Sequence, residues 1–362
     1  IVICDRGGNS RIQKGLTVKE AGGLGMIVAN TALYGEELIA DAHVLPSAGV
    51  GQKTGEAIKT YVFKDPNPTA TITSPVTELG IQPSPVVAAF SSRGPNLVTP
   101  EILKPDVIAP GVNILAGWTH VAGPSGLSKD TRRVEFNIIS GTSMSCPHVS
   151  GLAALVKAAH RDWSPAAVRS ALMTTASTSY ADGGPILDVA TGRSSTPFDY
   201  GAGHVNPVAA LDPGLVYDLT VDDYLGFLCA LNYSAVQIRI VSGRNMSCGP
   251  YSLGDFNYPS ISVPLPTAVE ADSASGVVTK VYNRVLTNVG SPGTYRATLT
   301  SVPDAVNVTV EPDTLTFGDS EKKSFSLRFE AASMPSGVAR FARLEWSDGK
   351  HVVGSPIAFR WI

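Results

Sequence analysis

The sequence predicts an α/β protein, with a parallel-sheet domain set between a small β/α module and a C-terminal β-sandwich. Three observations carry this. Between about Val86 and Asp218, short apolar strands alternate with helical patterns, as a parallel sheet requires. From about Asn257 to Ile362 helical periodicity disappears, and short alternating strands recur between turn signals in the manner of a sandwich of about a hundred residues. Over residues 1 to 73, brief apolar runs alternate with glycine-rich turns.

Taken in order, IVIC (1–4) reads as a strand and Ile12 to Glu20 as a helix. GMIVAN and HVLPSAGV then supply further strands, and Lys59 to Thr73 reads as an exit strand after a proline-punctuated turn. Ser74 to Pro85 is the expected boundary, which gives domains at 1–73, 74–256 and 257–362. In the second, VVAAFSSRGP and KPDVIAPGVNILAGW read as strands, and FNIISGTS as a strand running directly into a helix. Ser164 is placed to cap the next helix, with Pro165 at its first position. Thr220 to Ser242 reads as a helical connector. The third domain offers VVTKVYNRVLTNV, GTYRATLTSV, VNVTVEP, KSFSLRFEA, ARFARLEWSD and SPIAFRWI as strands.

The chain has 362 residues, enough for two or three domains. Hydrophobic residues make up 43% and charged residues 16%, which fits a globular protein with ample core. A net charge of −3 gives no support for nucleic-acid or anionic-membrane binding, and no run has transmembrane length. Ile1 falls within what reads as the middle of a strand, so the sequence is expected to begin inside a domain and the lack of a leader carries no weight. None of the four cysteines (Cys4, Cys146, Cys229, Cys248) has zinc-ligand spacing, and no metal or other cofactor is expected. Sequons stand at Asn232, Asn245 and Asn307, while Asn67 is excluded by Pro68. With Cys229 and Cys248 close in sequence, they lean toward an oxidising, extracellular setting.

The most informative stretch is Ser140 to Gly151, SGTSMSCPHVSG. Ser143 follows Gly141 and Thr142 and precedes a long small-residue segment. That places a hydroxyl at the N-terminus of an expected buried helix, where open backbone N–H groups and the helix dipole favour a developing oxyanion. Gly141, Ser145, Cys146 and Gly151 are small enough for a substrate backbone to approach. Pro147 falls within the first turns, where its missing N–H costs little. A serine at a helix start is on its own more often a cap than a nucleophile.

GTSMSCPHVSG, together with SSRGP (91–95) and KPDVIAPG (104–111), resembles the active-site serine region of the subtilisin family. SPAAVRSALMTTA and FDYGAGHVNPVAALDPGLVYD resemble its plant branch, and the resemblance extends over the whole chain. It implies a protease-associated module at 1–73, part of a subtilisin-like catalytic domain at 74–256 and a fibronectin-III-like domain at 257–362. It further implies that Ser143 is the nucleophile of a secreted endopeptidase acting on protein or peptide substrates. The family orders its catalytic residues Asp, His, oxyanion Asn, Ser, with the protease-associated insertion before the Ser. No D-[ST]-G or H-G-[ST]-H segment occurs here, so the first three are expected outside these residues and the chain alone is expected to be inactive. The alternative is a non-catalytic interaction scaffold. Whether the module supports homodimerisation or gates substrate is left open.

None of the six histidines reads as the general base. His148 lies too near Ser143 along one helix, and His204 is a turn residue in the family. His43 and His351 fall in accessory domains, and His120 and His160 have no acidic partner in a recognisable motif. Asp106 is expected to be structural, accepting backbone hydrogen bonds, and Arg93 to be a packing and ion-pair residue. By the resemblance, Cys146 is a small buried packing residue and Cys229–Cys248 a disulfide, which leaves Cys4 unpaired.

Overall fold

The structure, a computed structural model, describes residues 1–74, 76, 78–245, 247–267 and 277–362. Pro75 and Thr77 of the expected boundary, and Met246 of the Asn245 sequon, lie outside the described residues. The chain is mixed α/β with a parallel sheet and a C-terminal β-sandwich, as the sequence predicts. It divides into two compact units. One comprises Ile1–Ser92, Ala109–His148 and Ser179–Ser195; the other Arg93–Ile108, Val149–Thr178 and Thr196–Ile362.

In the first unit, β1 (Val2–Asp5), β2 (Met26–Ala29) and β3 (Ser47–Val50) form the parallel sheet in that order, with α1 (Arg11–Glu20) and α2 (Gln52–Lys64) in the crossovers. Ser10 caps α1, its Oγ accepting from Gln13 N–H at 3.1 Å. α2 overturns the expected exit strand at Lys59 to Thr73, because Lys59–Lys64 is its last turn and a half. Ile58, Tyr61 and Val62 recur at helical spacing, and helix formation from Gly51 onward overrides the β-propensity of TYVF. The helix stops at Asp65 because Pro66 disfavours helical backbone before it. Gly55 is where α2 meets the sheet: a Cβ there would fall 2.7 Å from that of Ala29.

The sheet expected between Val86 and Asp218 is sparse. β4 (Ile114–Gly117) and β5 (Phe136–Ile139) pair antiparallel, and parallel pairing shrinks to isolated bridges at Val87↔Asp188 and Ile108↔His204. Parallel strands persist where both faces are covered, yet Leu115 is 66% exposed and Phe136 62%.

α3 (Thr142–Ala159) follows β5 directly, as predicted, but only Val156 of the helix is buried. The expectation of burial on all sides is therefore not met. Its inner stripe (Val149, Leu152, Ala153, Val156) packs on Trp163, Val168 and Leu172, while Leu155 is 60% exposed. α4 (Pro165–Thr174) starts as predicted, with Ser164 Oγ accepting from Ala167 N–H at 3.0 Å and Pro165 at the first position. Short helices α5 (Pro197–Tyr200) and α6 (Pro207–Ala210), strand β6 (Leu215–Val216), and helices α7 (Val221–Ala230) and α8 (Ala235–Ser242) follow. Cys229 and Cys248 are disulfide-bonded, tying α7 to the segment after α8.

The sandwich contains β7 (Ile261–Leu265), β8 (Val277–Asn288), β9 (Gly293–Thr300), β10 (Val306–Glu311), β11 (Thr314–Phe317), β12 (Lys322–Ala332), β13 (Ala339–Ser347) and β14 (Val352–Trp361). One sheet runs β10-β12-β8-β6 and the other β11-β9-β13-β14-β7. Their inner faces bury Trp346, Trp361, Phe325, Phe329 and Phe359 at no more than 2% exposure. β6 joins this sandwich from well before residue 257, and β7 and β11 were not expected. At four or five residues, β7 and β11 are too short to carry much periodic signal.

A charged cluster links the turn after α6 to the β13–β14 hairpin. His351 Nδ1 donates to Asp348 Oδ2 at 2.8 Å, and its Nε2 lies 3.1 Å from Asp212 Oδ2 without hydrogen-bond alignment. Lys350 Nζ donates to the same Asp212 oxygen at 2.8 Å. Burial pulls the imidazole pKa down, but the two carboxylates outweigh it and hold it above the ordinary 6.5. A raised histidine pKa stabilises the fold below the unfolded value and loses that contribution as pH rises through the folded one. Stability should therefore decline as pH climbs above 6.5 through the raised pKa, and His351→Gln should flatten that decline in pH-dependent urea melts. Separately, Cys229→Ser/Cys248→Ser opens a loop of sequence separation 19. It should lower stability by roughly 3 kcal/mol in denaturant titration.

Candidate active site

Ser143 is the second residue of α3 and is exposed. Among the described residues its hydroxyl has no hydrogen-bond partner. Its backbone N–H lies in the first helical turn, where no intrahelical acceptor exists. An exposed hydroxyl, an open N–H and the positive end of an 18-residue helix dipole therefore coincide.

The backbone of residues 109–113 holds this first turn. Gly141 N–H donates to the Gly111 carbonyl at 2.8 Å, and Ser145 Oγ donates to the Ala109 carbonyl at 3.0 Å. Asn113 N–H donates to Ser140 Oγ at 2.7 Å. Asn113 has φ 53°, a left-handed backbone that Asn tolerates better than most residues. Its side-chain oxygen accepts from Ala40 N–H at 2.8 Å and from Ser140 Oγ at 3.2 Å. The sequence alone marks Ser140 and Ser145 only as small or polar neighbours and gives Gly111 and Asn113 no role. The signal for Gly111 was its place in KPDVIAPG, whose glycine permits this close approach.

Three residues of α3 beyond Ser143 depart from expectation. Pro147 is the sixth residue of the helix, one turn in, and cannot donate to the Ser143 carbonyl. This corrects the expectation that its missing N–H costs little. Cys146 is exposed, not buried. Nothing lies within 4 Å of a Cβ placed at Gly151, so no described neighbour explains that glycine.

His148 Nδ1 donates to the Met144 carbonyl of its own helix at 2.7 Å, which fits its structural reading. His204 faces the Val205 carbonyl at 3.1 Å, and burial lowers its pKa. His160 stacks on Trp163, with ring centroids 3.9 Å apart. His120 is exposed, and His43 is largely buried with its pKa lowered by desolvation. His351 belongs to the charged cluster of the sandwich.

Asp106 does not take backbone donors as expected. Its carboxylate accepts from Tyr258 OH at 2.7 Å and Lys104 Nζ at 2.8 Å, and Lys104 Nζ also donates to Tyr258 OH at 2.9 Å. Burial, followed by Asp106, pushes the Tyr258 phenol pKa up. Arg93 pairs with Asp199 at 2.6 Å, which agrees with its ion-pair reading. No helix of the described residues is long and apolar enough to cross a membrane.

A Cβ at Gly111 would fall 2.2 Å from Ser145 Oγ and 2.9 Å from the Gly141 carbonyl. Gly111→Ala is expected to destabilise by about 1–3 kcal/mol through overpacking. Adding Ser145→Ala should recover only part, because the carbonyl clash persists. Thermal melts of the single and double variants check this.

The family model described as "Subtilase family" matches residues 7–203, and one described as "Fibronectin type-III domain" matches 255–359. Among relatives from Arabidopsis thaliana, "Subtilisin-like protease SBT1.7" is 61% identical over 100% of this chain and 47% of its own length. "Subtilisin-like protease SBT1.4" is 52% identical over 100% of this chain and 47% of its own length. "Subtilisin-like protease SBT1.6" is 49% identical over 99% of this chain and 47% of its own length. The chain thus spans about half the length of the curated relatives it matches. On the match to 7–203 and these identities, it belongs to the subtilase family, with a fibronectin-type-III-like sandwich at its C-terminal end.

Proposed function

We propose that Ser143 is the nucleophile of a serine endopeptidase that cleaves protein or peptide bonds through an acyl-enzyme. The carrying observation is the exposed, unengaged Ser143 hydroxyl at the start of α3, beside its own open N–H. In this reading the hydroxyl attacks the scissile carbonyl, and a histidine takes its proton and returns it to the leaving amine. The Ser143 N–H, with an asparagine side chain, holds the oxyanion. The histidine, the aspartate that orients it and the asparagine come from chain outside these residues. The unpaired apolar flank of α3 and the exposed faces of β4 and β5 support that division.

In the same reading, 1–73 is a protease-associated module, 74–256 carries the serine part of the catalytic domain, and 257–362 is the fibronectin-like domain. The protein acts outside the cell, as three sequons and the Cys229–Cys248 disulfide suggest. Homodimerisation through the first module belongs to this proposal.

In subtilisin itself, the enzyme in which such a triad has been dissected residue by residue, losing the histidine alone lowers turnover on the order of a million-fold. The 362-residue chain should therefore show no fluorophosphonate labelling above a Ser143→Ala control. Restoring the upstream half of the natural protein should produce labelling that maps to Ser143. Strong labelling of the isolated chain would sink the claim that the partners lie elsewhere. An unlabelled complete protein would favour the scaffold reading.

A further inference from the structure

Asn307, Val308 and Thr309 spell N-V-T on β10, the outer strand of its sheet, which pairs only with β12 among the described residues. The strand alternates cleanly. Val306 is buried and Val308 and Val310 are half-buried, while Asn307, Thr309 and Glu311 are exposed. The amide that accepts a glycan and the hydroxyl two residues on, which completes the sequon, thus share the solvent face. Asn307 stands opposite Glu330, and its Nδ2 donates to Glu330 Oε2 at 3.2 Å. The free side of β10 is a template for strand addition, and VNVTVE has the β-propensity that makes such an edge hazardous.

We propose that Asn307 is an N-glycosylation site whose glycan shields the open β10 edge of the sandwich, an inference that rests on the extracellular reading above. The donor is a lipid-pyrophosphate-linked oligosaccharide. Asn307 Nδ2 forms the bond to the anomeric carbon, the carbon–oxygen bond to pyrophosphate breaks, and the lipid pyrophosphate leaves. Nδ2 gives up one proton to a base of the transferase and keeps the other. That remaining N–H can still donate to Glu330, so the glycan and the cross-strand contact are compatible. The Asn232 sequon differs. Asn232 sits in the turn after α7 at φ 63°, and its Ser234 hydroxyl caps α8, so a glycan there would leave the β10 edge open.

The test expresses the complete natural protein behind a secretion leader in a eukaryotic host. Glycans are released with an amidase in heavy-oxygen water, which converts each carrier asparagine to labelled aspartate for peptide mass spectrometry. The expected result is label at Asn307 in most molecules, abolished by Thr309→Ala. Trimming the glycan enzymatically from the folded wild-type protein, or Asn307→Gln, should raise the self-associated fraction several-fold in sedimentation velocity. Asn232→Gln should not. Secreted protein with unlabelled Asn307 overturns the site, and trimming without added self-association overturns the shielding. Because the leader imposes the route, failure here leaves the extracellular reading standing, and that reading fails separately if the natural protein is retained inside the cell.

Discussion

The first turn of α3 has few hydrogen bonds of its own: Met144 N–H donates to the Gly141 carbonyl at 3.0 Å, while the N–H groups of Thr142 and Ser143 have no intrahelical acceptor. The carbonyls of Ala109 and Gly111 take over by accepting from Ser145 Oγ and Gly141 N–H. Asn113 completes the mould through Ser140. The exposure of Ser143 depends on this arrangement. If the turn were anchored through Ser143 itself, its hydroxyl would be spent on structure. The approach is so close that Gly111 has no room for a side chain, so its role is steric and not only conformational.

Burial is distributed unevenly. The sandwich closes its own core and even recruits β6 from upstream, with Leu215 fully buried and Val216 nearly so. α3, by contrast, is a small-residue apolar helix covered along one stripe. Apolar residues on all sides of a helix are stable when packed on all sides. The apolar composition of α3 thus exceeds what the described layers around it cover.

Legibility in the sequence followed the locality of the physics. Ser164-Pro165 and the strands of the sandwich could be read because capping and period-2 alternation are written in consecutive residues. The exit strand at Lys59 to Thr73 is not found because TYVF satisfies both strand propensity and helical spacing, and it continues a helix that begins at Gln52 and meets Ala29 through Gly55. Tyr258 as a partner of Asp106 is not legible because it lies 152 residues away. The mould beneath Ser143 was missed for a related reason: three of its contacts run through backbone carbonyls or N–H groups, which leave no side-chain signature. The disulfide and the family were legible only through resemblance.

The strictness of Ser140 to Gly151 as a signature follows from how many separate tasks it carries. Ser140 and Ser145 make contacts that need a hydroxyl, one accepting from Asn113 N–H and the other donating to Ala109. Pro147 removes the donor that would otherwise engage the Ser143 carbonyl, so the residue bearing the hydroxyl is loosened from the helix ladder on its carbonyl side as well as on its N–H side. His148 then places a ring N–H on the Met144 carbonyl, reinforcing the ladder one residue later. A capping serine would need none of these. A chain that isolates one serine from the helix around it, while tying down residues on both sides, has the physical arrangement expected of a nucleophile that must stay open.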